Sequence, residues 1–421
     1  MDVDAYPRFL ETAVRDALAD TPVVVIQGAR QVGKSTLAQL VASETLDAQR
    51  VTLDAQRVTL DDQDTLAVAE SDPTFFVGQA AGALLVIDEA QRAPNLILPI
   101  KATVDRDRRP GRFLLTGSAD LLQVKGVGDS LAGRAETVEL KPLSQGELAR
   151  RSTPEDFVSW VFLGNISGRF DALDRAAVVT GGYPEAVRRV PDRARRWFDS
   201  YVERLADHDA RELQNGGYGG HLRQLLALVA SGGQSELVKA KVARGLGVTE
   251  HTIDVYLRLA TTMRLVSTLP SWGRSARGRV VRRPKVCLND TGLSAFLTGF
   301  TVGHAASIGG REYYGALVEQ FVALELEKQS GWSQEPFRLF HFRDLDGLEV
   351  DIVIELADGR LLAIEVKSAS SVTAKSWSSL TRFKERFTDR DVTGVCLHAG
   401  TQSSRIQGWL YVLPITALWQ H

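Results

Sequence analysis

Short unbroken apolar runs mark the first third of the chain: Val23-Val24-Val25-Ile26, Leu84-Leu85-Val86-Ile87 and, after Arg112, Phe113-Leu114-Leu115. Such a block reads as a strand buried on both faces, as in a parallel sheet flanked by helices, because it has no solvent face to alternate toward. Helix-prone stretches such as Thr36-Leu37-Ala38-Gln39-Leu40 fall between them. After Pro142-Leu143-Ser144 the pattern turns helical and polar, through Trp160 and the basic, amphipathic stretch from Arg188 to Arg204, and reads as a helical lid on the domain before it. From Ser235 to Ala243 a helix is expected, then a turn at Gly245-Leu246-Gly247-Val248 and a second helix capped by Thr249 and running to Leu257. Arg264-Leu265-Val266 and Val280-Val281 would be the strands of a wing. Further on, the stripe Leu317, Val318, Phe321, Val322 and Leu324 predicts a helix from Gly315 to Lys328. Two strand-like runs follow, Glu349 to Ile354 and Leu361 to Lys367, joined through Ala357-Asp358-Gly359-Arg360. The fold class is α/β, in four parts: a parallel-sheet core over 1–150, the helical lid over 151–215, a winged helix over 216–300 and a second α/β domain over 301–421.

One repeat interrupts this pattern. Leu46-Asp47-Ala48-Gln49-Arg50-Val51-Thr52 recurs unchanged as Leu53 to Thr59. Two heptads are too few for a coiled coil and the unit is too short for a solenoid, so a local duplication is the economical reading. The second core strand is then expected at Arg57-Val58-Thr59-Leu60, with the first copy displaced into a loop or helix extension.

Chemistry enters at the ends of the predicted strands. Gly28-Ala29-Arg30-Gln31-Val32-Gly33-Lys34-Ser35 follows the first run and leads through Thr36 into a helix, the arrangement of a P-loop. Glycines let the backbone turn its N–H groups inward around a phosphate, and the helix N-terminus beneath adds about half a positive charge. Lys34 would reach the β- and γ-phosphates of ATP, and the Ser35 hydroxyl would ligate Mg²⁺. The second run ends in Asp88-Glu89-Ala90-Gln91, which looks like a Walker B motif: Asp88 would hold the magnesium shell and Glu89 would polarise the attacking water.

Composition narrows the class. In 421 residues, 50 Lys plus Arg meet 52 Asp plus Glu, so the formal charge of −2 predicts no general attraction to nucleic acid. A local patch would have to supply it. Arg274, Arg277, Arg279, Arg282, Arg283 and Lys285 stand between Ser271 and Lys285 with no acidic residue among them, and this basic wing is the candidate contact. The helix before it begins with Glu250 and carries Asp254, which phosphates would repel. Cys287 and Cys396 are far apart and read as buried thiols of a reducing compartment. No apolar run approaches the ~20 residues of a membrane helix, and Met1-Asp2-Val3-Asp4 lacks the basic start of a secretion signal, so the expected location is cytoplasmic, without membrane contact.

A second group of carboxylates lies toward the C-terminus. Glu319 on its helix, then Asp351, Glu365 and Lys367 on successive strands, resembles the PD-(D/E)XK nuclease arrangement, with Asp351 and Glu365 as ligands of a second Mg²⁺ or Mn²⁺ and Lys367 orienting water. Residues two apart on a strand share a face about 6.6 Å from each other, which lets Glu365 and Lys367 act together. Register decides the rest. A two-residue turn at Asp358-Gly359 would face Asp351 away from Glu365, whereas a three-residue turn with Gly359 left-handed, or a bulge, would bring them together.

Taken together, the chain resembles a bacterial and archaeal group of ATP-binding proteins in which an AAA-type domain is joined to a C-terminal region of unknown function. The carriers are Gly28 to Thr36, Ile87 to Arg92, Leu115-Thr116-Gly117-Ser118, Gly133-Arg134, Thr180 to Ala186, Asn289 to Leu293, Gly315 to Phe321 and Ile364 to Lys367. Proline is more usual where Ala29 stands, and the heptad duplication lies outside the pattern. The resemblance implies an AAA-type core, a polar γ-phosphate sensor at the end of the third strand, and Arg134 as a candidate contact to the transferred phosphate, within its own chain or across a subunit boundary of a homo-oligomer. Three functions follow as alternatives: Mg²⁺-dependent ATP hydrolysis coupled to conformational change on or near nucleic acid, an ATP-gated metal-dependent nuclease, or a slow nucleotide-dependent switch that binds a partner.

Overall fold

The structure, a computed structural model, describes residues 5–43, 55–79, 82–118, 131–164, 166, 168–206, 221–274 and 283–421. Two compact units emerge, Met1–Pro142 with Thr262–Arg264, and Leu143–Thr261 with Leu265–His421.

The first unit is built on five strands, β1 (Val23–Gln27), β2 (Ala55–Thr59), β3 (Leu84–Asp88), β4 (Phe113–Gly117) and β5 (Ala135–Glu139), in the order β2-β3-β4-β1-β5. All four pairings are parallel, so every connection crosses over and the helices cover the sheet faces. The three unbroken apolar runs became the three central strands, buried along their whole length. Each fully buried Val, Leu or Ile there contributes about 1.5–3 kcal/mol relative to exposure. Helix Leu10–Asp20 adds Leu10, Val14, Ala17 and Leu18 to the core.

The second copy of the heptad supplies β2, which is an edge strand rather than a central one. Ala55, Gln56 and Arg57 are exposed, and burial deepens only toward Val58 and Thr59. Leu60, just beyond, is fully buried. The first copy, 46–52, lies outside the described residues.

The second unit holds two sheets. β6 (Ser235–Glu236), β7 (Val266–Leu269) and β8 (Lys285–Leu288) form an antiparallel sheet ordered β6-β8-β7. Helices Lys239–Leu246 and Glu250–Thr262 precede its hairpin, separated by Gly247 at φ 65°. Two expectations shift here: Ser235 and Glu236 pair as a strand instead of opening the helix, and Arg264, at φ 57°, precedes the strand that starts at Val266. Val280-Val281 lies outside the described residues.

The larger sheet runs β13-β14-β12-β11-β10-β9, with β9 at Phe337–Arg343, β10 at Glu349–Leu356, β11 at Leu361–Lys367, β12 at Val392–His398, β13 at Ser404–Gln407 and β14 at Leu410–Pro414. β10 pairs antiparallel with both β9 and β11, while β11-β12 and β12-β14 are parallel. Strand alternation divides its side chains between two cores. Ile352, Ile354, Leu362 and Ile364 pack with Leu317, Val318, Phe321 and Val322 of helix Arg311–Gln329. Val350, Val353, Leu361 and Ala363 face Leu380, Phe383, Phe387 and the fully buried Trp272. Val350 and Val353 can share a face only because the ladder to β9 slips between them, a bulge that takes in Asp351.

The segment expected as a lid belongs with the first of these cores. Phe157, Val158, Val161, Phe170, Leu173 and Val178 are buried in the same cluster as Leu317 and Phe321. Polar groups at the end of helix Arg311–Gln329 complete the join: the Glu325 carboxylate accepts from the Gln145 N–H at 2.9 Å, Lys328 donates to the Leu143 carbonyl at 3.0 Å, and Gln329 accepts from the Phe157 N–H at 2.8 Å. Buried polar groups matched in this way specify a partner, because an unmatched one costs about 1–3 kcal/mol. Among the described residues, no helix is long and apolar enough to cross a membrane.

Candidate functional site

Parallel strands put their carboxyl ends on one edge, and there the P-loop and the Asp88-Glu89 pair meet. The loop turns through Gln31 at φ 65° and Gly33 at φ 97° before helix Lys34–Ser43 begins. Gly28 has no room for a side chain, since a Cβ would stand 2.2 Å from the Leu140 carbonyl oxygen. Lys34 is buried at 4% exposure and donates to the Gly28 and Ala29 carbonyls at 3.1 and 3.0 Å.

Ser35 Oγ donates to Asp88 Oδ1 at 2.9 Å, joining positions 53 residues apart. Thr116 Oγ1 donates to the same carboxylate oxygen and accepts from the Glu89 N–H at 3.2 Å. One hydroxyl at the end of β4 thus holds both members of the acidic pair. Glu89 itself sits in left-handed backbone at φ 56°, and Gln91 Nε2 bonds both its carboxylate and, at 3.1 Å, Ser118 Oγ. Gln91 Oε1 is buried without a hydrogen-bond partner. A hydroxyl beside a carboxylate is an oxygen donor set suited to Mg²⁺, which keeps its remaining positions for water and phosphate oxygens.

Arg8 is a functional neighbour that sequence reasoning missed. Its guanidinium is 7% exposed and donates to Val32 O in the P-loop at 2.6 Å and to Lys141 O at 2.8 Å. No motif marks it, because the bond bridges 24 residues to one carbonyl and 133 to another.

Arg134 is not brought to this edge. It precedes β5, its carbonyl accepts from Val23 N–H at the opposite end of β1, and its side chain pairs with Asp105 at 2.6 Å. The length of β1, at about 3.3 Å per residue, lies between it and the phosphate loop. Sequence proximity to Gly133 could not reveal which sheet edge it would occupy.

In the second unit, the connection between β10 and β11 is the three-residue turn Ala357, Asp358, Gly359, closed by Leu356 N–H donating to Arg360 O at 3.0 Å, with Gly359 at φ 87°. Ile352 therefore pairs with Ile364, and continuing that register sets Asp351 opposite Glu365. Asp351 Oδ2 accepts from Val366 N–H at 2.8 Å. Lys367 Nζ bonds Glu365 Oε1 at 2.5 Å, and Ser379 Oγ donates to its other oxygen at 2.8 Å. Glu319 turns to a different partner, Lys285 Nζ at 2.7 Å, which also reaches Glu349 at 3.1 Å. Burial, then the neighbouring Asp351, pushes Glu319 up to about 8 and Glu365 up to about 7. Burial also raises Asp351. The expected second metal finds no support: Lys285 pairs with Glu319 and Lys367 with Glu365, and among the described residues no three His, Cys, Asp or Glu side chains are grouped to hold an ion.

The basic wing is likewise reduced. Lys285 is buried, and Arg274 pairs with Asp389 at 2.9 Å and lies over the Phe387 ring. Arg283 is exposed, and Arg277, Arg279 and Arg282 lie outside the described residues.

A family model described as AAA domain matches residues 20–149, and two described as domains of unknown function, DUF8612 and DUF4143, match 173–302 and 314–418. Two relatives, an uncharacterized protein of Mycobacterium bovis and one of Mycobacterium tuberculosis, are each 30% identical over 365 residues, covering 85% of this chain and 73% of theirs. The chain belongs to their family. Solved structures with some likeness include AMPPCP-bound DnaA from Aquifex aeolicus, at 15% identity over 61% of this chain and 89% of that one, with a TM-score of 0.30. Another is a STAND protein from Pyrococcus horikoshii, at 14% identity over 78% and 46%, with a TM-score of 0.25. The AAA-type P-loop assignment therefore rests on the family match, the parallel sheet and the phosphate-loop geometry.

Outside the AAA domain, two motifs that carried the resemblance turn out to hold each other. Asp290 caps helix Thr291–Thr298 through Leu293 N–H and accepts from Gly182 N–H at 2.7 Å with its other oxygen. Leu143 N–H donates to the Gly182 carbonyl at 2.8 Å. Their chemistry is that of a clamp, not of a reaction centre.

Proposed function

We propose that the AAA domain binds Mg²⁺-ATP and hydrolyses it. One observation carries this: the Ser35 hydroxyl stands 2.9 Å from the Asp88 carboxylate, so the P-loop and the end of β3 present one oxygen-lined position. Ser35 and Asp88 would hold the metal, which when bound offsets negative charge on the phosphate oxygens. Lys34, already fixed at the loop carbonyls, would give its ammonium to the phosphates. Glu89 would accept the proton of the attacking water, and Thr116 keeps its backbone aligned with Asp88. Substituting Glu89→Gln should lower turnover by roughly 100-fold or more while ATP binding persists. Turnover unchanged in that variant would remove Glu89 from the role of base.

The bond from Gln91 to Glu89 favours a slow, switch-like cycle over a fast motor, because a carboxylate tied to an amide is less available to water. Partner binding that draws Gln91 away would then raise the rate. Action on nucleic acid remains the reading for the basic wing, with Arg277, Arg279, Arg282 and Arg283 as its cations. Steady-state ATPase rates with and without single-stranded DNA, duplex DNA and RNA test it, and an unchanged rate with all three would leave a protein partner as the effector.

A further inference from the structure

Lys285 places a buried cation among the carboxylates of the second unit. Lys285 is 5% exposed, and its ammonium lies between Glu319 and Glu349 at 2.7 and 3.1 Å. It arrives from a different sheet than Glu349. β8 is the middle strand of its three, and Lys285 is laddered to Glu236 on one side and Leu269 on the other, so the backbone behind the ammonium is fixed from both edges. The next elements hold that placement. His341 of β9 bonds the Arg283 carbonyl at 3.1 Å, and Trp272 N–H donates to the His341 carbonyl at 2.6 Å.

We propose that Lys285 is a built-in counter-ion that occupies the cation position beside Glu319 and Glu349 and so keeps divalent metal out of the C-terminal carboxylate site. Once Glu319 gives up its proton, the buried carboxylate needs a partner, since an uncompensated one is strongly destabilising. Lys285 supplies that partner, and Lys367 does the same for Glu365. A divalent ion would need these oxygens released and would stand next to a fixed ammonium, where like charges repel strongly in a medium of low polarity. Glu319, Glu349 and Glu365 are therefore the carboxylates of a closed site, and neutralising one lysine is the change that opens it. This inference does not depend on ATP hydrolysis.

The test is Mn²⁺ titration of the nucleotide-free full chain, following free Mn²⁺ by electron paramagnetic resonance, for wild type, Glu319→Gln, Lys285→Met, Lys285→Gln and each Lys285 variant combined with Glu319→Gln. The expected result is a Lys285 variant with one Mn²⁺ site at least about tenfold tighter than any in wild type, lost when Glu319→Gln is added. Circular dichroism and ATP binding confirm that the variants fold. Two results would overturn the proposal: a folded Lys285 variant with no new site, or a wild-type site already removed by Glu319→Gln alone. The second arm stands even if neither Lys285 variant folds.

Discussion

Glu89 and Gln91 show how two side chains could set a rate. Truncating Gln91→Ala should free the Glu89 carboxylate and raise basal turnover by up to about tenfold, the equivalent of one charge-assisted hydrogen bond of about 1.4 kcal/mol. A coupled-enzyme ATPase assay measures it, and a slower variant would mean that Gln91 aligns the base instead of restraining it. Arg8 acts at the same scale but on the loop. Arg8→Ala leaves Val32 O and Lys141 O without their donor, so urea denaturation should report a loss of about 1.5–3 kcal/mol and ATP titration a weaker affinity. Lys34, Ser35, Asp88 and Glu89 were legible in the sequence because each occupies a fixed offset from a strand end. Arg8 was not, because its partners come from distant segments.

Among the elements, the turn between β10 and β11 has the largest consequence for its size. Its three residues, with Gly359 in left-handed backbone, put Asp351 opposite Glu365, and the bulge in β10 keeps Val350 and Val353 on one face. The resulting carboxylates link stability to pH. Glu319 and Glu365, raised from 4.5 to about 8 and about 7, hold protons in the folded state that the unfolded chain has released. Their contribution is therefore complete below pH 4.5 and is lost as pH rises through about 7 and about 8. His341 works the other way: burial, helped by Lys285, lowers it to about 4, so its contribution is present above 6.5 and is lost on acidification toward 4. Thermal melts across this range should show Glu365→Gln flattening the decline on the alkaline side. An identical pH profile in the variant would mean that Glu365 is ionised in the native protein.

At the scale of the whole molecule, the heptad duplication tests how far the first unit tolerates extra chain. β2 is built from the second copy, at an exposed edge, so deleting 46–52 should leave soluble expression and ATPase turnover nearly intact. Loss of soluble protein would show that the first copy also carries structure. The family match spans both units, yet the lid segment shares its core with the C-terminal sheet. That join was hidden in the sequence because the helix Arg311–Gln329 is buried along most of its length and makes its partners through Glu325, Lys328 and Gln329, residues that read as solvent-facing.

The sequence by itself determined the AAA-type core and its phosphate loop, because unbroken apolar runs, a glycine-rich turn and an acidic strand end are local patterns whose physics needs no distant partner. It also posed the right question about Asp351 by tying its direction to the length of a turn. Tertiary structure alone decided that Arg134 stands at the far end of the sheet, that Arg8 braces the loop, and that Lys285 fills the space beside Glu319. Those are matters of which buried charge meets which, and strands brought together across long stretches of chain settle them.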